Sequence, residues 1–271
     1  MAAIAIVVAV QEEFQAFKKK MPSAKSDSVD GFPLSIGTIG GKAVVLCKSG
    51  MGLVRSQKAV QSLVSKFDPL CFLFCGFSGG LRLNVKVGDL IVPETVIPYV
   101  KDPTGANADD IFPIGKHGPY RAISPSSGWI ANLPLSRSKI HRGILVTADR
   151  VIGFADEKAR IGEKFDAIAI DMETIGGATA ASILGKPWFT IRAISDEIGQ
   201  DLPLDFAKFE NTKGDINRGK LIIHVLKNPD LIPKLMRLGK RSARAARNLT
   251  DYVELYLAAL PVESLNFKES S

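Results

Sequence analysis

Carboxylates recur in this chain where a short apolar run gives way to a turn. Gln11-Glu12-Glu13 follows the run from Ile4 to Val10, Asp171-Met172-Glu173 ends the run from Ala167, and Ser195-Asp196 ends the run from Trp188. Two glycine turns, Ser49-Gly50-Met51-Gly52 and Gly76-Phe77-Ser78-Gly79-Gly80, close similar runs. In a parallel sheet such positions lie just past the C-terminal strand ends, where active sites form. A single acid after a strand is commonly a helix cap, and a single glycine turn is commonly only a turn. Acids at three strand ends can instead converge on one cleft, the arrangement that carboxylate-assisted glycosyl chemistry requires. Its general base and general acid need carboxyls held in different environments.

The elements that must position these residues are legible as alternation. Strands are expected at Ile4–Val10, Lys42–Lys48, Leu70–Gly76, Asp89–Pro93, Gly143–Thr147, Ala167–Met172 and Trp188–Ile194. Helical spacing runs over Glu12–Lys20, Leu53–Phe67, Ala155–Phe165 and Thr174–Leu184. Strands apolar on both faces and separated by helices imply a largely parallel sheet covered on both sides. The expected fold is therefore α/β: a three-layer α/β/α sandwich around a central mixed, mostly parallel sheet. No repeat or linker splits residues 1–260, which read as one domain. Pro98 to Arg121 reads as a long surface loop, and 261–271 as a frayed tail. Leu204–Lys227 reads as a helix stopped by Asn228-Pro229. Beyond it, residues 230–257 carry apolar positions at helical spacing with basic residues between them, an amphipathic helix with a positive outer face.

Composition bounds the class. Hydrophobic residues make up 46% of the 271 and charged residues 23%, so the chain is neither disordered nor fibrous. No apolar run is long enough to span a bilayer, and the apolar start lacks the basic region of a signal peptide. Three cysteines, Cys47, Cys71 and Cys75, sit inside apolar runs without metal-type spacing, which reads as reduced, buried thiols in a cytoplasmic protein. His117, His141 and His224 share no metal or nucleophile spacing, and Asp89 reads as a turn residue. The formal charge of +7 is concentrated: between Arg218 and Arg247 nine Lys or Arg stand against the single acid Asp230.

The order of Ile4-Ala-Ile-Val-Val-Ala-Val-Gln-Glu-Glu13, Ser49-Gly-Met-Gly52, Gly76-Phe-Ser-Gly-Gly80, Val87-Gly-Asp-Leu-Ile-Val92, Asp171-Met-Glu173 and Arg192-Ala-Ile-Ser-Asp196 resembles the purine nucleoside phosphorylase superfamily. Within it, the chain is most similar to the methylthioadenosine/S-adenosylhomocysteine nucleosidases. Asp201-Leu-Pro-Leu-Asp-Phe206 and the basic C-terminal helix resemble the bacterial hopanoid-associated group, which acts on adenosylhopane. The resemblance implies hydrolysis of the N-glycosidic bond of an adenine nucleoside, with no metal or organic cofactor and a homo-oligomeric assembly. It also implies roles. Asp196 is the general acid to the base, oriented by Ser195, and Glu13 activates water. Glu173 grips the ribose hydroxyls and Met172 packs on the sugar. Ile152 offers its backbone to adenine, and Gly52, Phe77, Ser78, Gly79 and Val151 complete the substrate-binding set. A one-residue slip would exchange Glu12 and Glu13.

Three departures from that pattern matter. Phe77 stands where the nucleosidases carry a small polar residue, crowding the sugar or walling a bulkier substituent. Val151 replaces a stacking phenylalanine, so Phe77 or Phe154 would have to supply that surface. A carboxylate occupies the stretch where phosphorylases grip phosphate, which favours hydrolysis, although Arg55 and Arg82 keep phosphate-dependent cleavage open. The basic helix has three readings: a solvated face, a contact with an anionic membrane surface, or a nucleic-acid contact, the last disfavoured by its scarcity of aromatics. The expected location is cytoplasmic, with peripheral contact to the inner membrane under the second reading. A lipid- or nucleic-acid-binding protein on the same fold is the non-enzymatic rival.

Overall fold

The computed structural model describes residues 3–99, 121–126, 128, 133–204, 209 and 217–260. Nine strands and six helices follow in the order β1 Ile4–Val8, α1 Gln11–Lys18, β2 Lys25–Val29, β3 Phe32–Ile39, β4 Lys42–Lys48, α2 Leu53–Phe67, β5 Cys71–Gly80 and β6 Leu90–Tyr99, then β7 Ile140–Ala148, α3 Ala155–Lys164, β8 Ala167–Asp171, α4 Thr174–Ile183, β9 Trp188–Asp196, α5 Arg218–Lys227 and α6 Leu231–Ala259, among the described residues.

The strands form one mixed sheet in the order β2-β3-β4-β1-β5-β8-β7-β6-β9. β1 runs parallel to both β4 and β5, and its five residues are buried on both faces, as the all-apolar Ile-Ala-Ile-Val-Val requires. One face is covered by α1 and the second half of α6, which bring Phe14, Phe17, Leu249, Val253 and Tyr256 onto Ile6, Leu46 and Leu73. α2 and α4 cover the other, setting Val60, Leu63, Ile175 and Ala178 against Val7, Phe74 and Val45. These are the three layers of an α/β/α sandwich.

Two features go beyond the sequence expectation. β5 also pairs in parallel with β9, so β5, β8, β7, β6 and β9 close on one another and one end of the sheet becomes a small barrel. The antiparallel edge hairpin of β2 and β3 was not expected. β2 is Lys-Ser-Asp-Ser-Val with an outward-facing burial pattern, and β3 is broken in pattern by Pro33 and Gly37, so neither shows the apolar run that marks the inner strands. The expected helix over Leu204–Lys227 is helical from Arg218; residues 205–208 and 210–216 of it lie outside the described residues, as do 100–120 of the expected loop and the expected tail 261–271. The three cysteines are buried and unbridged, and burial pushes the Cys47 thiol up to about 12.

Small residues let α4 lie against the helix and strand beside it. A Cβ on Gly176 would come within 2.3 Å of the Leu53 carbonyl oxygen, and one on Gly177 within 2.4 Å of the Phe74 ring. Because backbone cannot yield as a flexible side chain does, Gly176→Ala is expected to push α4 off α2. The expected cost is about 1–3 kcal/mol of unfolding free energy, measured by urea denaturation.

Candidate active site

The C-terminal ends of β1, β5, β8 and β9 open into one cavity of about 160 Å³. Glu13, Glu173 and Asp196 all line it. Each reaches it for a local reason.

Glu13 stands in the first turn of α1, where a carboxylate meets backbone N–H groups that no helical carbonyl satisfies. Its Oε2 accepts from the Ala9 and Val10 amides at 2.9 and 3.0 Å, and its Oε1 accepts from the Phe77 amide at 2.7 Å. The carboxylate is thereby tied to the ends of both β1 and β5. Burial raises its pKa above the ordinary value, against the pull of those amides and of Arg192. Glu12 beside it is exposed, so the register that puts Glu13 in the cavity is decided by the helix face.

Glu173 closes β8 at the entry to α4. Its Oε1 accepts from the Gly52 amide at 3.1 Å, and its Oε2 lies 3.6 Å from Arg192 Nη1. Gly52, with φ of 93°, turns the chain so that its amide points at Glu173; it holds that carboxylate and does not itself line the cavity. Burial, opposed by Arg192 and reinforced by Asp171 and Glu13, raises Glu173 to about 7.

Asp196 ends β9, opposite Gly79 of β5, where the ladder shifts register between Ser78 and Gly79. That irregularity leaves Gly79 against the carboxyl: a Cβ there would sit 3.1 Å from Asp196 Oδ2. Ser195 Oγ donates to Asp196 Oδ1 at 2.8 Å, and Lys158 Nζ of α3 donates to Oδ2.

The remaining wall is assembled from Met172, Ser195, Phe77, Ser78, Gly79 and the pair Val151-Ile152. Ser78 Oγ is buried and has no hydrogen-bond partner among the described residues, a polar group available to a bound molecule. Of the two aromatic candidates, Phe77 lines the cavity, and Phe154, 71% exposed at the start of α3, does not. Arg55 and Arg82 are outside it too. Arg55 Nε donates to the Ser49 carbonyl at 2.8 Å, and Arg82 pairs with Asp166.

Sequence reasoning missed three cations. Arg192 was part of a motif but carried no role; it is 1% exposed and pairs with Asp171 at 2.7 Å. Lys158, in an amphipathic helix, gave no sign that it would be fully buried. Arg150 lines the cavity and pairs with Glu157. His141 and Asp89, given no catalytic part, bond each other at 2.8 Å and do not line the cavity. Among the described residues no group of three His, Cys, Asp or Glu could hold a metal ion.

The closed sheet end and the acidic cavity at its strand ends define the nucleoside phosphorylase-like class of α/β proteins. Residues 3–226 match the model of the Phosphorylase superfamily, and the chain belongs to that family. Among curated relatives, the 5'-methylthioadenosine/S-adenosylhomocysteine nucleosidase of Exiguobacterium sp. is 28% identical over 229 residues, covering 83% of this chain and 97% of the relative. That of Oceanobacillus iheyensis is 28% identical over 231 residues, 83% of this chain and 98% of the relative. Among solved structures, the Neisseria meningitidis 5'-methylthioadenosine/S-adenosylhomocysteine nucleosidase in complex with methylthio-immucillin-A superposes with a TM-score of 0.71 at 21% identity, covering 96% of this chain and 100% of that one. The futalosine hydrolase of Helicobacter pylori gives 0.72 at 18%, covering 96% and 98%.

The raised pKa of Glu173 ties stability to pH. The folded chain holds a proton up to about pH 7 that the unfolded chain releases near 4.5. Stability from this group is therefore complete below 4.5 and is lost as pH rises through 7. Urea denaturation across that window should show stability falling with pH, and Glu173→Gln should flatten the slope.

Proposed function

We propose that this protein hydrolyses the N-glycosidic bond of an adenine nucleoside and releases adenine. The observation that carries the reading is the convergence of Glu13, Glu173 and Asp196, each in a different environment, on one cavity. As the bond breaks, positive charge develops on the ribose ring, and a wall bearing buried carboxylates favours it. Glu13, locked by three backbone amides and with its pKa raised by burial, takes the proton of the attacking water. Asp196, with Ser195 on its other oxygen, delivers a proton to the departing base. Glu173 holds the ribose hydroxyls, Met172 packs on the sugar, Ile152 and Val151 border the base, and Ser78 offers its unpartnered hydroxyl.

Hydrolysis is favoured over phosphorolysis by the carboxylate of Glu13 and by the engagement of Arg55 and Arg82 elsewhere. Among the residues lining the cavity Arg150 is the cation; its Nη2 pairs with Glu157, while its Nη1 lies 3.7 Å from Asp149 without a hydrogen bond. The curated relatives at 28% identity are named as nucleosidases, which supports the same choice. The test is incubation with methylthioadenosine and with adenosylhomocysteine, with and without phosphate, reading released adenine by chromatography. Adenine without phosphate is expected, and a strict phosphate requirement would replace this reading with a phosphorylase. Glu13→Gln and Asp196→Asn should each lower kcat by about 10²–10⁴-fold.

The finer proposals concern partners and location. We propose a cytoplasmic homo-oligomer whose α6 meets an anionic membrane surface, which would suit an adenosyl substrate with a lipid tail such as adenosylhopane. What supports this is the division of α6. Its buried residues begin at Ala245, whereas Ile232 and Met236 are 44% and 60% exposed beside Lys234, Arg237 and Lys240. Apolar side chains flanked by cations are what a surface-lying helix presents to lipid. Among the described residues no helix is long and apolar enough to cross a membrane. Co-sedimentation with phosphatidylglycerol vesicles is expected, lost at high salt and in Lys234→Glu/Arg237→Glu; equal binding to neutral vesicles would count against it.

A further inference from the structure

Asp196 is asked to act as an acid, yet it stands in an ion pair. Lys158 Nζ donates to Asp196 Oδ2, and its side chain is fully buried. The ammonium has two further acceptors, the carbonyls of Gln200 at 3.0 Å and Glu197 at 3.4 Å. Its three donors are thus directed at three oxygens, which holds the nitrogen in one place. Lys158 does not line the cavity; it stands behind Asp196. A lysine is seldom buried without such a partner, and nothing in the packing of α3 requires one: the other buried positions of that helix are Ile161 and Gly162.

We propose that Lys158 is a positioning residue that acts through Asp196, holding its carboxyl against the purine and replenishing the proton that Asp196 passes on. The inference rests on the nucleosidase reading above. The bond between the sugar carbon and the base nitrogen breaks, and its electron pair goes to the purine. Asp196, a carboxylate in the resting ion pair, takes a proton from Lys158 Nζ and passes it to the purine, so it ends as a carboxylate beside a neutral amine. Water forms the new bond to the sugar carbon and loses its proton to Glu13. Solvent then carries that proton away and recharges Lys158, which closes the balance.

Asp196 also borders a second cavity, lined with it by Gln200 and Asp201 and by Lys234, Arg237 and Arg241 of α6. Ser195 Oγ bonds Asp196 Oδ1 from β9, and Gly79 of β5 packs against the carboxyl. From the segment after β9, Glu197 directs its carboxylate away to Lys86 and the Val87 amide. Asp201 Oδ1 accepts from the Ala155 amide, and Gln200 Oε1 accepts from Arg241 of α6. Glu157, next to Lys158 in α3, is paired with Arg150. No second carboxylate therefore competes for Lys158 among the described residues.

The test compares full-length wild type with Lys158→Met, Lys158→Gln and Lys158→Arg, assayed on methylthioadenosine and adenosylhomocysteine from pH 5 to 9, with thermal melting as the control for folding. In Lys158→Met and Lys158→Gln, kcat at pH 7.5 should fall by about 10²-fold or more while KM changes little, and the loss should shrink towards pH 5, where solvent supplies the proton. Lys158→Arg keeps the charge and the ion pair, but a guanidinium does not release its proton in proteins. The larger guanidinium is expected to lower the melting temperature, and kcat should still fall at temperatures where the variant is folded. Full activity and a wild-type pH profile in Lys158→Arg would reduce the lysine to a counter-ion and overturn the proposal, as would wild-type kcat in Lys158→Gln or Lys158→Met. Should wild type itself release no adenine, the nucleosidase reading fails together with this one. Active wild type with unaffected variants defeats this one alone.

Discussion

The site is organised around one buried guanidinium. Arg192, in the middle of β9, is buried with its Nη2 2.7 Å from Asp171 and its Nε and Nη2 both donating to Thr174 Oγ1. Glu173 approaches its Nη1, and Gly76 lies so close that a Cβ would come within 2.5 Å of Nη1 and 2.9 Å of Glu13 Oε1. One cation therefore serves carboxylates from β8, from the entry to α4 and from α1. Removing one partner of such a buried network typically costs about 3–5 kcal/mol, because the others are left charged and unpaired. The arrangement is also unbalanced. With three acids around one arginine, burial and mutual repulsion raise Glu173, while Asp171, bonded by Thr147 and Thr174, anchors the arginine. The same interaction that holds the fold together tunes the carboxyls that line the cavity.

Closure of the sheet into a small barrel is what brings the acids into range. A flat sheet in the observed order would separate β5 from β9 by three strands, and Glu13 from Asp196 with it. Pairing β5 directly with β9 sets Gly76 beside Arg192 and Gly79 beside Asp196. Gly76 and Gly79 are thus explained by close approach: guanidinium and carboxyl groups occupy the space a side chain would need. The strand carries Phe77 and Ser78 into the cavity between them, one apolar and one polar.

Charge is handled differently in the cavity and on the first half of α6, whose Lys234, Arg237 and Arg241 border Asp196 from outside it. In the cavity, cations and carboxylates are buried together, with three acids sharing Arg192. On α6 the cations stand on the surface. The second half of that helix is anchored by Leu249, Val253 and Tyr256, which leaves the first half to face outward with both its apolar and its basic side chains.

Much of this was legible in the linear chain. Strands buried on both faces, such as Ile4–Val8 and Lys42–Lys48, declare themselves by unbroken apolar runs, and α2 by its 3.6-residue period, because burial selects residue type directly. The acids at the strand ends were visible for the same reason: a charged residue that ends an apolar run is conspicuous. The polar hairpin of β2 and β3 was not, since an edge strand needs no apolar run. Nor was the pairing of β5 with β9, which joins residues more than a hundred positions apart through backbone hydrogen bonds that no side chain announces. Lys158 shows the limit most clearly. In sequence it is one more lysine on an amphipathic helix, and only the packing of α3 against β8 lets its nitrogen reach Asp196 at the end of β9 and removes it from water. Residue type and period determined the elements and the kinds of chemistry available; the closing of the sheet decided which charges meet, because electrostatic pairing depends on distances that only the tertiary structure sets.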